Sequence, residues 1–270
     1  MSKPNKLKLV SYLAPNMFWF YEALGAYLSR VLGVETHIIQ SEYDPLEDPV
    51  MLQEQLDIAF ICGLPLVQIN RNMVNRLQPL VAPVMQASRY QNRPVYFSDI
   101  IVSAESDFKT FDDLKGKTFC YNDPGSNSGY NMVRQKLMQG GYPSNFFGKV
   151  IQSGSHQRSM RLVADKKADC AAIDSTVLEQ ELRDAPELAK HIRVIESIGS
   201  CPIPPVVASR RLKPDVIELI QSALCQPDAE LQSAMERSHI RRYVRVQLQD
   251  YDAIATMYDT AIKAGYEIIG

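Results

Sequence analysis

Residues 121–131 combine features that could bind an anion. They read YNDPGSNSGYN and stand between a predicted strand, KTFCY, and a predicted helix, NMVRQKLMQ. The first backbone N–H groups of a helix have no intrahelical partner, and together with the positive end of the helix dipole they suit an anion. Two glycines let the backbone come close to a ligand. The stretch adds three side-chain donors, which are Ser126, Asn127 and Ser128.

The same stretch also fits a simpler role as a turn that starts a helix. The tetrapeptide DPGS is a common turn sequence, and Ser or Asn ahead of a helix can act as its N-cap. A nucleotide-binding Walker loop is excluded because the pattern GxxxxGK[ST] is absent. The residues alone therefore leave two interpretations open, an anion site and a plain helix cap.

Neither the cysteines nor the histidines show the spacing of a metal centre. There is no CxxC pair and no HExxH-like pattern, and an odd number of scattered cysteines argues against a disulfide framework. The residues concerned are Cys62, Cys120, Cys170, Cys201, Cys225, His37, His156, His191 and His239. We therefore predict free thiols, no metal and no organic cofactor.

Composition and charge place the chain among ordinary globular proteins. It has 270 residues, of which 46% are hydrophobic and 22% charged, and its net charge is −2. The chain shows no excess of basic residues and no Lys/Arg stripe with interleaved aromatic residues, so nucleic acid is not indicated as a partner. Such a length is enough for one large domain or two smaller ones.

No targeting or membrane segment is predicted. The apolar run near the N-terminus is short and is broken at Pro15, so it does not read as a signal peptide. Nowhere does an apolar run approach the roughly 18 residues of a membrane span. Free thiols fit a reducing compartment better than an oxidising one. These features allow a cytosolic protein, or one whose leader has been removed.

Apolar runs and helical patterns alternate along about 200 residues. This alternation predicts an α/β fold with mostly parallel sheets. The predicted strands are 7–13, 34–40, 57–62, 80–86, 95–106, 150–154, 169–174 and 192–197, together with KTFCY. After VVAS (206–209), the rest of the chain is predicted to be largely helical.

Two connectors divide the strand series into outer and middle parts. Residues 88–94 are polar and residues 198–205 are rich in proline. They predict two lobes that the chain crosses twice, with a cleft at the hinge where a small ligand would bind. The predicted lobes are 1–90 with 203–270, and the inserted 91–202.

An ordered set of short motifs resembles the substrate-binding proteins of phosphate, phosphite and phosphonate ABC importers. The motifs are DPGSNSG (123–129), GYPSNFF (141–147), SGSH (153–156) and VADKKADCAAID (163–174). Three further stretches match in order, namely DIAFICGLPLV (57–67), VYFSDIIV (95–102) and IPPVVASRRL (203–212). The resemblance extends to about residue 225.

The resemblance implies a two-lobed, type II periplasmic-binding-protein-like fold. It implies a solute-binding protein, not an enzyme, that captures a small oxyanion of the phosphonate, phosphite or phosphate class between its lobes. An ABC permease would be its partner, and an extracytoplasmic location would follow. We expect a monomer.

The resemblance also implies which residues grip the head group. These are Ser126, Asn127, Ser128 and His156, with Tyr43 and Tyr96 as aromatic contacts. Tyr12, where the first strand meets its helix, could line the cleft as well. Family members that take aminophosphonates have acidic groups at positions that hold Thr176 and Pro204 here. Asp174 and Asp44 are possible substitutes for those acids.

The alternative is a cytosolic enzyme or ligand sensor built on the same two-lobed fold. An enzyme could use His156 with Asp174 or with a cysteine. It would need a general base and a nucleophile within reach of each other, and the sequence does not show such a pair. Binding is therefore the favoured reading.

Overall fold

The structure is a computed structural model that describes residues 6–72 and 76–269. Contacts between residues divide the chain into two compact units. The first unit comprises Met1–Val95 and Pro202–Asp252, and the second comprises Tyr96–Cys201 and Ala253–Gly270. Each unit has one sheet with helices packed on it, so the predicted α/β class is confirmed. None of the described helices is long and apolar enough to span a bilayer.

The first unit is built on a six-stranded sheet. Its strands are β1 (Lys6–Ser11), β2 (Glu35–Gln40), β3 (Ile58–Phe60), β4 (Leu77–Met85), β10 (Val206–Ser209) and β11 (Ile240–Arg245). In space they follow the order β11-β4-β10-β3-β1-β2. β1 runs parallel to β2 and β3, whereas β10 and β11 pair antiparallel with their neighbours.

Amphipathic helices supply the apolar faces of the first unit. They are α1 (Phe18–Leu32), α2 (Pro49–Leu52), α3 (Gly63–Asn72), α7 (Pro214–Cys225) and α8 (Ala229–Arg237). In α1, Phe20, Leu24 and Leu28 recur every four residues and are completely buried, as a helix face toward a core requires. The helix ends at Gly33, whose φ of 65° is in the left-handed region that glycine adopts without strain.

The second unit is built on a five-stranded sheet. Its strands are β5 (Val95–Ser103), β6 (Thr118–Tyr121), β7 (Lys149–Gln152), β8 (Cys170–Asp174) and β9 (Ile192–Pro202), in the order β7-β6-β8-β5-β9. β6 runs parallel to β7 and β8, so the carboxyl ends of these three strands share one edge. β5 pairs antiparallel with β8.

Both sheets are therefore mixed, where we predicted mostly parallel ones. The antiparallel strands of the first sheet include β10 and β11, which the chain forms after it has passed through the second unit. Alternation of strands and helices predicts parallel pairing only where each crossover stays within one sheet. A chain that leaves a sheet and returns to it is free to come back in the opposite direction.

The helices of the second unit are α4 (Met132–Gln139), α5 (His156–Ala164), α6 (Ser175–Asp184) and α9 (Asp252–Lys263), the last of which begins at the unit boundary. Their core contains a cluster of aromatic rings. The rings of Phe119 and Phe147 stack with centroids 4.5 Å apart, and those of Phe111 and Phe146 stack at 5.3 Å. Stacked rings of this kind bury large apolar areas and so help to stabilise the unit.

The C-terminal residues belong to the second unit, although we predicted them as part of the first lobe. Ile269 is 3% exposed within the aromatic core, and its backbone N–H donates to the Tyr130 hydroxyl at 2.9 Å. The Tyr266 hydroxyl donates to the carbonyl oxygen of Tyr142 at 2.6 Å. The chain thus passes between the units a third time, at Asp252–Ala253. Helical periodicity reveals which face is apolar but not which sheet that face covers.

Candidate functional site

Three strands of the second unit end beside one another, and each leads toward a helix. β6 is followed by residues 122–131, which we call the serine loop, and then by α4. β7 is followed by residues 153–155 and α5, and β8 leads directly into α6. Because the three strands are parallel neighbours, the starts of these helices lie along one edge of the sheet. Carboxyl ends of parallel strands are where α/β proteins usually bind ligands.

Ser126 caps the helical segment that follows it. Its Oγ accepts a hydrogen bond from the backbone N–H of Gly129 at 2.9 Å. The segment Asn127–Asn131 is a π-helical turn, and the N–H of Asn131 closes it on the carbonyl of Ser126 at 3.0 Å. A hydroxyl that accepts a bond can still donate its own hydrogen. The cap and the anion donor are therefore compatible roles for one side chain.

Gly129 makes the close packing of the serine loop possible. A Cβ atom at this position would lie 1.9 Å from Oδ1 of Asn122. That oxygen is buried and has no hydrogen-bond partner among residues 6–72 and 76–269. The glycine thus lets the side chain from the start of the loop lie against its end.

The side chain of Asn127 is used inside the second unit. Its amide nitrogen donates to the Tyr96 hydroxyl at 2.9 Å and to Sγ of Cys201 at 3.3 Å. Its amide oxygen accepts from Nδ2 of Asn131 at 2.9 Å. Since Asn127 is completely buried, these bonds hold the loop in place, and its side chain is engaged inside the unit.

Two residues of β5, Tyr96 and Ser98, hold the serine loop through hydrogen bonds. Tyr96 is completely buried, and its hydroxyl accepts the hydrogen bond from Asn127. Ser98, also completely buried, donates to the carbonyl of Ser128 at 2.7 Å. The aromatic contact expected at Tyr96 is therefore a buried support of the loop in this structure.

Ser128 and His156 meet across two helix starts. Oγ of Ser128 lies 3.4 Å from Nε2 of His156, which is the first residue of α5. His156 is 8% exposed, and burial lowers the pKa of its imidazole to about 4. The ring is therefore neutral at neutral pH, so it carries one N–H donor and one acceptor. Nδ1 is buried without a hydrogen-bond partner in the described part of the chain.

Asp174 ends β8 and caps α6. Its Oδ1 accepts from the backbone N–H of Thr176 at 2.8 Å and from the hydroxyl of Thr176 at 2.7 Å. Burial raises the pKa of this carboxyl to about 6. Asp174 lies opposite Ser98 in the β5–β8 pairing, and Ser98 in turn holds Ser128. Asp174 thus belongs to the same edge as the serine loop.

Tyr12 and Tyr43 belong to the first unit. The Tyr12 hydroxyl donates to Oδ2 of Asp48 at 2.9 Å, and burial with this bond raises the pKa of Tyr12 well above its ordinary value. Tyr43 is 65% exposed. The predicted residues that the structure brings together are those of the second unit, which are Ser126, Asn127, Ser128, His156, Tyr96 and Asp174.

Four residues that hold this cluster in place were not predicted from the sequence, namely Ser98, Asn122, Asn131 and Arg134. One signal for two of them was present in the sequence. Asn127, Asn131 and Arg134 are spaced four and three residues apart, so they share one face of a helix. Polar residues that share a helix face with a binding loop are therefore candidates for its support.

The Ser128–His156 pair also invites comparison with a hydrolytic dyad. A general base works best with a pKa near the operating pH, and burial holds that of His156 near 4. Burial raises the pKa of the Cys120 thiol to about 11, so this thiol is a weak nucleophile. In the part of the chain described, no group of three or more Cys, His, Asp and Glu could hold a metal. The cluster is thus better suited to donate hydrogen bonds than to break covalent bonds.

Comparison with protein families gives a match over nearly the whole chain. Residues 11–251 match the family described as ABC transporter, phosphonate, periplasmic substrate-binding protein. The phosphonates-binding periplasmic protein of Escherichia coli K12 is 28% identical over 124 residues, which are 44% of this chain and 36% of that protein. The match thus spans about a third of the length of this curated relative.

Solved structures share the fold. A binding protein component of an ABC phosphonate transporter from Pseudomonas aeruginosa has a TM-score of 0.84 at 17% identity, and the match covers 97% of this chain and 88% of that one. PhnD1 from Prochlorococcus marinus, in complex with methylphosphonate, has a TM-score of 0.82 at 19% identity. That match covers 97% of this chain and 100% of the other.

Proposed function

The chain belongs to the family of periplasmic substrate-binding proteins of phosphonate ABC transporters, and from this membership we propose that it captures a small phosphonate, phosphite or phosphate through the serine loop. It binds this oxyanion without breaking a bond and delivers it to a membrane importer. Among these ligands we favour phosphonates, because they are the class that the matched family description names.

One observation carries the proposal, namely the convergence of two helix starts on Ser128 and His156. Their side chains approach to 3.4 Å from α5 and from the π-helical turn ahead of α4. Hydroxyl, imidazole and backbone N–H donors are the groups that oxyanion oxygens accept from, and such bonds are stronger than neutral ones. The positive ends of two helix dipoles favour the same charge.

Each residue of the cluster has a role in this proposal. Ser126, Ser128 and His156 donate to the oxyanion through their side chains, and Asn127 donates through its backbone N–H. Tyr96 acts through Asn127, which its hydroxyl holds at 2.9 Å. Asp174 is assigned to a protonated ligand oxygen through Oδ2, since Oδ1 caps α6.

Tyr43 and Tyr12, which the resemblance names as candidate contacts, are proposed for the organic part of the ligand. Tyr43 is 65% exposed, so its ring can contact a ligand at little cost. The hydroxyl of Tyr12 is engaged by Asp48, which leaves its ring as the contacting surface. Aromatic rings suit short alkyl groups because they offer a flat apolar face.

Calorimetric titration of the purified protein tests the proposal. Methylphosphonate, phosphite and inorganic phosphate are titrated separately, and methanesulfonate serves as an oxyanion of another class. We expect at least one phosphorus oxyanion to bind with a stoichiometry of one. Ser128→Asp, which places a like charge at the proposed head group, should abolish this binding.

The half-buried serine Ser222, whose hydroxyl donates to Glu218 on α7, provides the control. Ser222→Ala should bind as the unmodified protein does. A folded protein that binds none of the three phosphorus oxyanions at millimolar concentration would contradict the proposed function.

A further inference from the structure

A buried arginine lies in the first turn of α4, directly after the serine loop in the sequence. Arg134 is the third residue of α4 and is 3% exposed. Its Nη2 donates to Oδ1 of Asn131 at 2.7 Å, and its Nη1 donates to the carbonyl of Glu267 at 3.3 Å. In the described part of the chain its guanidinium forms no ion pair with a carboxylate. Glu267, whose side chain is exposed, acts on it only at longer range.

Two aromatic rings enclose this cation. The guanidinium carbon lies 4.8 Å from the ring centroid of Tyr258 and 5.5 Å from that of Tyr130. Nε is buried without a hydrogen-bond partner among residues 6–72 and 76–269. Burying a charge without an opposite charge is costly, and burial accordingly lowers the pKa of Arg134. The two hydrogen bonds and the two rings offset part of this cost, but no ion pair with a carboxylate in the described part of the chain offsets the rest.

Hydrogen bonds connect this cation to the serine loop. Arg134 donates to Asn131, Asn131 donates to Asn127 at 2.9 Å, and Asn127 donates to Tyr96 at 2.9 Å. Each donor points away from the guanidinium, so the bond dipoles add and polarise one another. All four residues are buried, and water therefore screens little of the positive potential at the loop.

We propose that Arg134 is a positioning residue that supplies the positive charge of the anion site from behind, through Asn131 and Asn127, without touching the ligand. The inference rests on the proposed function. It explains how a site whose direct donors are neutral could hold an anion, since His156 is uncharged at neutral pH. A ligand with two negative charges gains more from such a cation than a ligand with one.

Calorimetry with methylphosphonate on the 270-residue chain tests this inference. Arg134→Met removes the charge and keeps most of the volume, whereas Arg134→Lys keeps the charge. We expect Arg134→Met to weaken binding about tenfold or more, and Arg134→Lys to remain within about threefold of the unmodified protein. The loss in Arg134→Met should be larger above the second ionisation of methylphosphonate than below it. A residue that only supports the fold would not produce this dependence on ligand charge.

Arg161 on α5 gives a matched control. It is half exposed and pairs with Glu181 at 3.0 Å, so Arg161→Met should leave the affinity unchanged. Unchanged affinity in Arg134→Met, or equal weakening in Arg134→Met and Arg134→Lys, would overturn the inference while leaving the proposed function intact. Failure of the unmodified protein to bind any phosphorus oxyanion would overturn the proposed function, and the inference with it.

A second variant decides the matter if Arg134→Met does not fold. Arg134→Gln removes the charge and keeps an amide donor for Oδ1 of Asn131, so the bond from Asn131 to Asn127 is left in place. We expect weaker methylphosphonate binding with an unchanged or higher unfolding temperature. Unchanged affinity in a folded Arg134→Gln protein would refute the role of the buried charge.

Discussion

Ser126 accepts a hydrogen bond from the N–H of Gly129 at 2.9 Å, and so the residue that we assign to the ligand is also the cap of a helical turn. Neither role excludes the other, because the hydroxyl accepts through its oxygen and donates through its hydrogen. The two roles contribute to different measurable quantities, namely the free energy of unfolding and the affinity for the anion.

Ser126→Ala should therefore lower both quantities. Loss of the cap should cost about 1 kcal/mol of stability, measured by urea unfolding. Loss of a hydrogen bond to a charged ligand should cost about 1.5–3 kcal/mol, which is roughly a ten- to hundredfold rise in dissociation constant by calorimetry.

The control for Ser126 is another capping residue of the second unit. Thr110 forms a capping box at the turn Phe111–Leu114, and we assign it no contact with the ligand. Thr110→Ala should lose stability to a similar extent and keep its affinity. A Ser126→Ala protein with normal affinity for a verified ligand would show that the serine only starts the helix.

The buried imidazole of His156 should make stability depend on pH. Its folded-state pKa of about 4 lies below the ordinary 6.5, so the unfolded chain binds a proton that the folded chain does not. The resulting stabilisation is complete above pH 6.5 and is lost as the pH falls toward 4, by about 3 kcal/mol in total. His156→Asn removes this dependence, because an amide does not titrate.

The measurement is the difference in unfolding free energy between the unmodified protein and His156→Asn. When urea unfolding is repeated at values from pH 7 down to pH 4, the unmodified protein should lose more unfolding free energy than His156→Asn does. A constant difference for His156→Asn would contradict a buried neutral imidazole.

Asp174 should affect stability in the opposite direction. Its folded-state pKa of about 6 lies above the ordinary 3.8, so the folded chain holds the proton more tightly. This contribution is fully present below pH 3.8 and is lost as the pH rises through 6, again by about 3 kcal/mol. Asn is also a good N-cap, so Asp174→Asn keeps the helix start.

Asp174→Asn should consequently be more stable than the unmodified protein at pH 7, and this advantage should disappear toward pH 4. Urea unfolding at both pH values measures it. Asp228, the exposed N-cap of α8, has a pKa lowered by hydrogen bonds and by Arg30, so Asp228→Asn should instead destabilise at pH 7. If Asp174→Asn also destabilised at pH 7, burial would not dominate at this site.

Gly129→Ala should destabilise the second unit through a steric clash. The added Cβ would lie 1.9 Å from Oδ1 of Asn122, so that side chain must move. Overpacking of this kind costs about 1–3 kcal/mol, measured by urea unfolding, and should weaken methylphosphonate binding as well. Combining it with Asn122→Ala should restore part of the lost stability.

Gly25 on α1 is the matched control for this substitution. The atom that an added Cβ would approach most closely there is 3.5 Å away, which is ordinary contact. Gly25→Ala should therefore leave stability unchanged or raise it by up to about 1 kcal/mol through helix propensity. A Gly129→Ala protein as stable as Gly25→Ala would show that the serine loop can relax freely.

Sequence patterns predicted the parts of this molecule that depend on local physics. Periodicity located most of the strands to within a few residues, as for the predicted 7–13 and the observed Lys6–Ser11, but it missed β11 (Ile240–Arg245), which lies where helices were predicted. The turn residues before α4 predicted a helix start, and the structure has one there with Ser126 as its cap. The motifs also identified His156, which the structure places 3.4 Å from Ser128.

Long-range choices were not predictable in the same way. Nothing in the periodicity of α9 indicates that Tyr258 covers the guanidinium of Arg134, because a pattern defines an apolar face and not its partner. Similarly, Asn127 reads as a surface donor in a polar loop, yet it is completely buried against Tyr96. The amide is inside because Tyr96 and Asn131 satisfy its hydrogen bonds, and these partners come from other elements.

Attachment of the last described residues to the second unit has a consequence for synthesis on the ribosome. Residues 96–201 leave the exit tunnel well before residues 253–269, which contribute Ile269 to the same core and occupy the Tyr130 hydroxyl. This core therefore stays incomplete until the final stretch has been translated. A nascent chain paused before residue 253 should expose apolar surface near Phe119 and Phe147, and such surface is what chaperones recognise.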